Sequence, residues 1–181
     1  MKTKRILSII SLTLFLILAV VLVYEASMPG EISSEHSGAV SGAIQDATEK
    51  VESAVGGGGE NSLSQKITLN FSEFAYMVRK GIGHFGAFMV LAIFGTYALL
   101  TLLKDKASAI LLSLTLGVVI ATLTELIQLN VQGRYGSFDD VMLDSFGYLV
   151  GFVLTMVVML IIRVIIISRS RRYKKAKNAI L

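Results

Sequence analysis

Four apolar runs decide what this chain can fold into. They cover residues 6–24, 82–103, 109–129 and 141–167. A helix that crosses a hydrocarbon core of about 30 Å needs about 20 residues, and each run meets that length. Lipid offers no partner for a bare backbone N–H or C=O, so spanning runs of this kind are read as helices. The expected fold is all-α: a single membrane domain built as a four-transmembrane-helix bundle. Composition points the same way, because 54% hydrophobic residues against 17% charged ones leave too little charge for a water-facing surface. The chain has no cysteine. That removes disulfides, thiolate nucleophiles and Cys-ligated zinc from consideration.

The first run follows Lys2, Lys4 and Arg5, as a signal peptide would. Its apolar stretch is longer than the roughly 7–15 residues of a signal h-region. The segment Tyr24-Glu25-Ala26-Ser27-Met28-Pro29 also lacks a small-x-small cleavage pattern. The run reads as an uncleaved anchor.

Orientation follows from the basic residues, which stay on the cytoplasmic side of short loops. Most of them lie at the N-terminus, at Lys104 and Lys106, and in the tail 168–181, which carries Arg169, Arg171, Arg172, Lys174, Lys175 and Lys177. Four crossings put all three segments on one side, so both termini are expected to be cytoplasmic. The long connection 25–81 is rich in Glu and falls on the extracytoplasmic side, as does the short connection 130–139. The net charge of +4 is therefore juxtamembrane and suits anionic lipid. No nucleic-acid partner is expected.

Glycines 56–59 make a flexible joint in the long connection. Before it, Val40, Ala43, Ile44, Ala47, Val51 and Val55 recur every three or four residues. That spacing predicts an amphipathic surface helix over 39–55. Ser72 is placed to cap a helix leading into the second crossing. His36 lies in a polar loop and reads as solvated.

Ionisable groups in apolar runs are costly and face the bundle interior. His84 opens the second run, Glu125 and Gln128 close the third, and Asp144 lies within the fourth. Arg134, Asp139 and Asp140 sit in the connection between the last two. With the orientation above, all of them map to the outer leaflet. Glu125 and Gln128 share a helix face. Asp140, Asp144, Gly147 and Gly151 fall at i, i+4, i+7 and i+11, one continuous stripe. Its glycines let two helices approach closely, and its aspartates line the mouth above them. Arg163, near the inner end of the fourth run, is placed to snorkel to the interface.

The expected ligand-binding set is His84, Glu125, Gln128, Arg134, Asp140 and Asp144, with Gly147 and Gly151 as helix-packing positions. His84 is the candidate for acid–base chemistry with Glu125 as its orienting partner, and Glu125, Asp140 and Asp144 are expected to orient Arg134 towards a phosphate or carboxylate. No metal and no cofactor is expected, since His-Glu-x-x-His, Gly-x-Ser-x-Gly and a Gly-rich phosphate loop are missing and one histidine lies in the cluster; only the enzyme reading has Asp140 and Asp144 hold a divalent cation through hard oxygen ligands. The cytoplasmic halves of the runs hold no matching ionisable residues, which argues against a transport path. The competing reading is an ion-pair network that only locks the helices together. Oligomeric state is not legible, since the glycines serve packing within or between chains equally well.

The ordered set of motifs resembles the VanZ-like family. The segment from Ser27 to Ser34, with Ser37, is similar to that family's Ser/Pro/Gly-rich stretch after its first helix. Lys80-xxx-His84-xxx-Phe88 resembles its second-helix opening, and Glu125-xx-Gln128 its Glu-xx-Gln. Arg134, Asp140, Asp144, Gly147 and Gly151 are similar to its Arg…Asp-xxx-Asn-xx-Gly-xxx-Gly signature, with Asp144 where the family often has Asn. The connection 25–81 is longer and richer in glycine than that family's pattern. The resemblance implies a multi-pass protein of the bacterial cytoplasmic membrane. The family's namesake is associated with low-level resistance to teicoplanin, a lipid-anchored glycopeptide. The implied partner is a membrane lipid, or a lipid-linked cell-wall or glycopeptide ligand. Three functions stay open: a resistance or envelope factor, an intramembrane enzyme acting on a lipid headgroup, and a structural or assembly protein.

Overall fold

The computed structural model describes residues 2–56 and 62–178. Among the described residues every regular element is helical. Helix α1 (Lys2–Ala26) is followed by α2 (Gly30–Ala54), α3 (Leu63–Leu69) and α4 (Phe71–Val78). A π-helical stretch, Arg79–Gly86, runs directly into α5 (Ala87–Leu102). Helices α6 (Lys106–Gln128) and α7 (Phe138–Asn178) follow. Four helical segments are long and apolar enough to cross a membrane: Thr3–Ala26, Phe71–Leu102, Lys106–Gln128 and Phe138–Arg169. The protein is a multi-pass, all-helical membrane protein.

The connection between the first two crossings is more ordered than the sequence pattern indicates. Pro29 stands at the N-cap of α2, and the helix begins at Gly30 rather than near residue 39. Its fixed φ suits it to that cap, where it ends α1 and starts α2 within three residues. Much of the apolar stripe on α2 stays outside: Val40, Val51 and Val55 are exposed. The second crossing begins at Phe71, eleven residues before the apolar run. Ser72 lies inside α4 rather than at its cap, which is Asn70, while Ser62 caps α3 through the Gln65 N–H. Gly56 adopts φ +74°, a left-handed conformation that glycine takes without strain. The rest of the glycine joint, 57–59, lies outside the described residues.

At the opposite end of the bundle α5 turns into α6 within three residues. Asp105 accepts from the Ala107 and Ser108 N–H groups, an N-cap. Lys106 Nζ donates to the Leu100 and Leu103 carbonyls at 2.6 and 2.7 Å, closing the end of α5.

The core joins α1, α5, α6 and α7 around Phe15, Phe88, Leu91, Ala92, Ala121 and Tyr148. Lipid gives apolar side chains no reason to prefer one another, so close backbone approach has to supply the packing. A Cβ on Gly147 would run into the Phe85 carbonyl, and one on Gly151 into the Met89 carbonyl. The two glycines thus bring α7 against the second crossing. Gly117 plays the same part towards the Tyr148 ring, and Gly95 towards Phe15. Buried hydroxyls tie the middle together: Thr96 to Ser113 at 2.8 Å, and Ser113 to Tyr148 at 3.2 Å. Helix α7 runs to Asn178, beyond the apolar run that ends at 167. Arg163, on that stretch, is exposed.

Candidate ligand site at one end of the bundle

The site grows from a register between two parallel helices. Lys80 and His84 are four residues apart on the π-helical stretch, and Asp140 and Asp144 are four apart on α7. Packed side by side they form two rungs. Lys80 Nζ pairs with Asp140 Oδ1, and His84 Nδ1 lies 3.1 Å from Asp144 Oδ1. The π-helix bonds each N–H to the fifth preceding residue and so widens the turn. Its glycines, Gly81, Gly83 and Gly86, keep side chains out of that widened stretch. Gly147 against Phe85 then holds the two backbones at the distance the rungs require.

Helix α6 adds a second carboxylate. Glu125 Oε1 is 4.0 Å from His84 Nδ1 and accepts from Gln128 Nε2 at 3.2 Å. Glu125 Oε2 accepts from the Ser137 N–H at 2.9 Å, which fastens the α6–α7 connection over the site. Glu125, Gln128, Asp140 and Asp144 are all buried. Asp144 is only 1% exposed, and its Oδ2 has no hydrogen-bond partner among the described residues.

Arg134 reaches the site from the connection. Its guanidinium donates to Ser33 Oγ at the start of α2. The Gly30 N–H donates to the Gln132 carbonyl at 3.0 Å, so the connection and α2 are docked by backbone as well. Gly133 makes this turn with φ +72°. Burial, and then the nearby Arg79, pull the Arg134 guanidinium below its ordinary pKa. Among the described residues it makes no ion pair.

These groups surround a cavity of about 440 Å³, within the size range of small-molecule sites. Of the six residues expected from sequence, His84, Gln128, Arg134, Asp140 and Asp144 line it, and Glu125 lies behind His84. Asp139, beside them in sequence, is exposed.

Three details differ from the sequence reading. The carboxylates do not orient Arg134: Asp140 is taken by Lys80 and Asp144 by His84. The carboxylate nearest His84 is Asp144, with Glu125 farther away. His36 is not in an irregular loop but on α2, where it lies 3.4 Å from Glu25 and borders the cavity. Sequence reasoning also missed Ser33 and Arg79 as part of the site. Ser33 stands in the Ser/Pro/Gly-rich stretch and Arg79 beside Lys80, but neither neighbourhood names a partner.

A comparison with protein families matches VanZ/LLP1 over residues 11–163, well over half the chain. No curated protein and no solved structure matches it. The match runs from the first crossing into the fourth and contains every residue of the cavity described above, so the chain belongs to the VanZ/LLP1 family.

Proposed function

We propose that the cavity binds the anionic headgroup of a lipid-linked molecule at the outer leaflet of the bacterial cytoplasmic membrane. The reading covers a cell-wall lipid or a lipid-anchored glycopeptide of the teicoplanin type, and makes the protein a resistance or envelope-lipid factor. One observation carries it: Arg134 is half-buried at the cavity wall, held by a hydroxyl and by no carboxylate among the described residues. A guanidinium in that state offers a fork of N–H donors to a phosphate or carboxylate. An anion there also offsets the burial of the positive charge. Arg79 borders the same cavity and adds to the positive field.

The test expresses wild type, Arg134→Ala and Arg134→Lys in a bacterium lacking its own copy. Teicoplanin susceptibility, vancomycin susceptibility and membrane abundance are read in the same cultures. Selective protection against teicoplanin by wild type, lost in Arg134→Ala at equal abundance and only partly kept in Arg134→Lys, is the expected result. Protection that survives Arg134→Ala removes the reading.

A second reading is favoured by the contact between His84 Nδ1 and the buried Asp144 carboxylate at 3.1 Å. A carboxylate-oriented imidazole suits proton transfer, and so an enzyme acting on the headgroup. Mass spectrometry of membrane lipids decides it: a headgroup change present with wild type and gone in His84→Gln identifies the enzyme.

A further inference from the structure

We infer that His84, Glu125 and Asp144 form a binding site for one divalent transition-metal ion of the Zn²⁺ or Mn²⁺ type. The inference does not depend on the lipid reading, which rests on Arg134. The three residues come from three separate elements: the π-helical stretch, α6 and α7. One possible ligand atom of each lies within 4.8 Å of the others. Ligand atoms bound at about 2.0–2.2 Å lie about 3.0–3.5 Å from one another around a metal. His84 Nδ1 and Asp144 Oδ1 are already at 3.1 Å, and Nδ1 and Glu125 Oε1 at 4.0 Å. Small side-chain rotations are enough to close the set.

An independent observation points to a cation. Asp144 Oδ2 is fully buried and has no hydrogen-bond partner among the described residues. A buried carboxylate oxygen without a donor is costly, and few stable structures leave one so. Lys80 is engaged by Asp140, and among the described residues neither Arg134, held by the Ser33 hydroxyl, nor Arg79 pairs with the Asp144 carboxylate. Two ionised carboxylates beside a neutral imidazole give the trio two negative charges. A divalent ion with neutral imidazole brings it to zero, which a site beside the hydrocarbon core favours strongly.

The ligand types narrow the metal. One imidazole and two carboxylates suit Zn²⁺, Mn²⁺ or Fe²⁺, whereas Mg²⁺ and Ca²⁺ favour all-oxygen sets and Cu(I) favours sulfur. A supporting layer is in place, since Ser137 N–H and Gln128 Nε2 hold the two Glu125 oxygens. Three protein ligands leave coordination positions open towards the cavity, which His84 and Asp144 line.

The experiment uses the full chain, purified in detergent through a tag without histidine, stripped with EDTA and dialysed against Zn²⁺ or Mn²⁺. Elemental analysis is expected to find about one ion per chain in wild type, and less than about one tenth in Asp144→Asn and in His84→Asn. His36→Ala, which alters the other histidine, is expected to keep the full complement. A Co²⁺ titration of wild type gives the second reading, with visible ligand-field bands that saturate at one equivalent and a raised unfolding temperature. These two measurements need no variant, so a poorly folding Asp144→Asn leaves the test intact. Wild type that holds less than about a tenth of an ion and shows no saturating Co²⁺ band overturns the site. Loss of the ion in His36→Ala, with retention in Asp144→Asn, overturns it equally.

Discussion

Two layers of this bundle bury polar groups, and they bury them differently. In the middle layer Thr96, Ser113 and Tyr148 are neutral, fully enclosed and joined hydroxyl to hydroxyl. At the site end His84, Glu125, Asp140 and Asp144 are ionisable, and the Asp144 carboxylate has an oxygen without a partner. The middle layer is filled by an aromatic ring against Gly117, whereas the site layer opens onto a cavity. Hydrogen bonds among neutral groups satisfy one another and leave nothing to bind. Charges held beside a cavity leave valence unused. The comparison teaches that polarity inside a membrane bundle indicates function when its partners are incomplete, and packing when they are complete.

The comparison breaks most readily at the glycines that set its register. Gly151→Leu drives a side chain into the Met89 carbonyl and cannot be relieved by a rotamer change. It is expected to lower the folded, monodisperse fraction on size-exclusion chromatography by more than about tenfold, and to remove both layers together. A normal yield would mean that close helix approach does not hold the bundle.

Next in size is Lys80→Met, which leaves the buried Asp140 carboxylate without its cation. The pair is partly reached by solvent, so a loss of about 1–3 kcal/mol is expected in reversible detergent unfolding, below that of a fully buried pair. The double variant Lys80→Met/Asp140→Leu is expected to recover most of it, because both charges leave together. No recovery would place the role of Lys80 outside this pair.

Ser113→Ala tests the middle layer. It removes the hydroxyl between Thr96 and Tyr148, and interhelical hydrogen bonds of this kind average about 0.6 kcal/mol in membranes. A small drop in stability with unchanged teicoplanin susceptibility is the outcome expected of a packing layer. Altered susceptibility at equal abundance would erase the distinction between the layers.

The smallest effect belongs to the solvated carboxylate at the far end. The Ser108 hydroxyl and N–H bonds hold the Asp105 carboxyl below its ordinary pKa. A carboxyl depressed on folding contributes stability above its unfolded pKa and loses it as pH falls through the folded value. Asp105→Ala is therefore expected to lower the unfolding temperature slightly at pH 7, with the difference shrinking below the ordinary carboxylate range. A difference that persists at low pH would assign the effect to something other than the charged cap.

Much of the fold was legible in residue order. The apolar runs determined four membrane-length helices, because hydrocarbon thickness and backbone satisfaction allow no other arrangement of such runs. The spacing of Gly147 and Gly151 marked the face of α7 that meets another helix, since helical period is a property of one chain segment. The ordered polar residues marked which end of the bundle carries the candidate site. Less was legible between residues 25 and 81, where the sequence pattern indicates one surface helix and a helix leading into the second crossing, and the described residues fold three helices and the start of a π-helical stretch.

Only the tertiary structure decided who meets whom. Lys80 with Asp140, His84 with Asp144, and Arg134 with Ser33 are 60, 60 and 101 residues apart. Periodicity within one helix says which residues share its face, but not how far that helix slides along its neighbour. That register is set by glycine faces meeting carbonyls and by a widened π-helical turn. The carboxylate left without a partner at Asp144 is a consequence of the same fit.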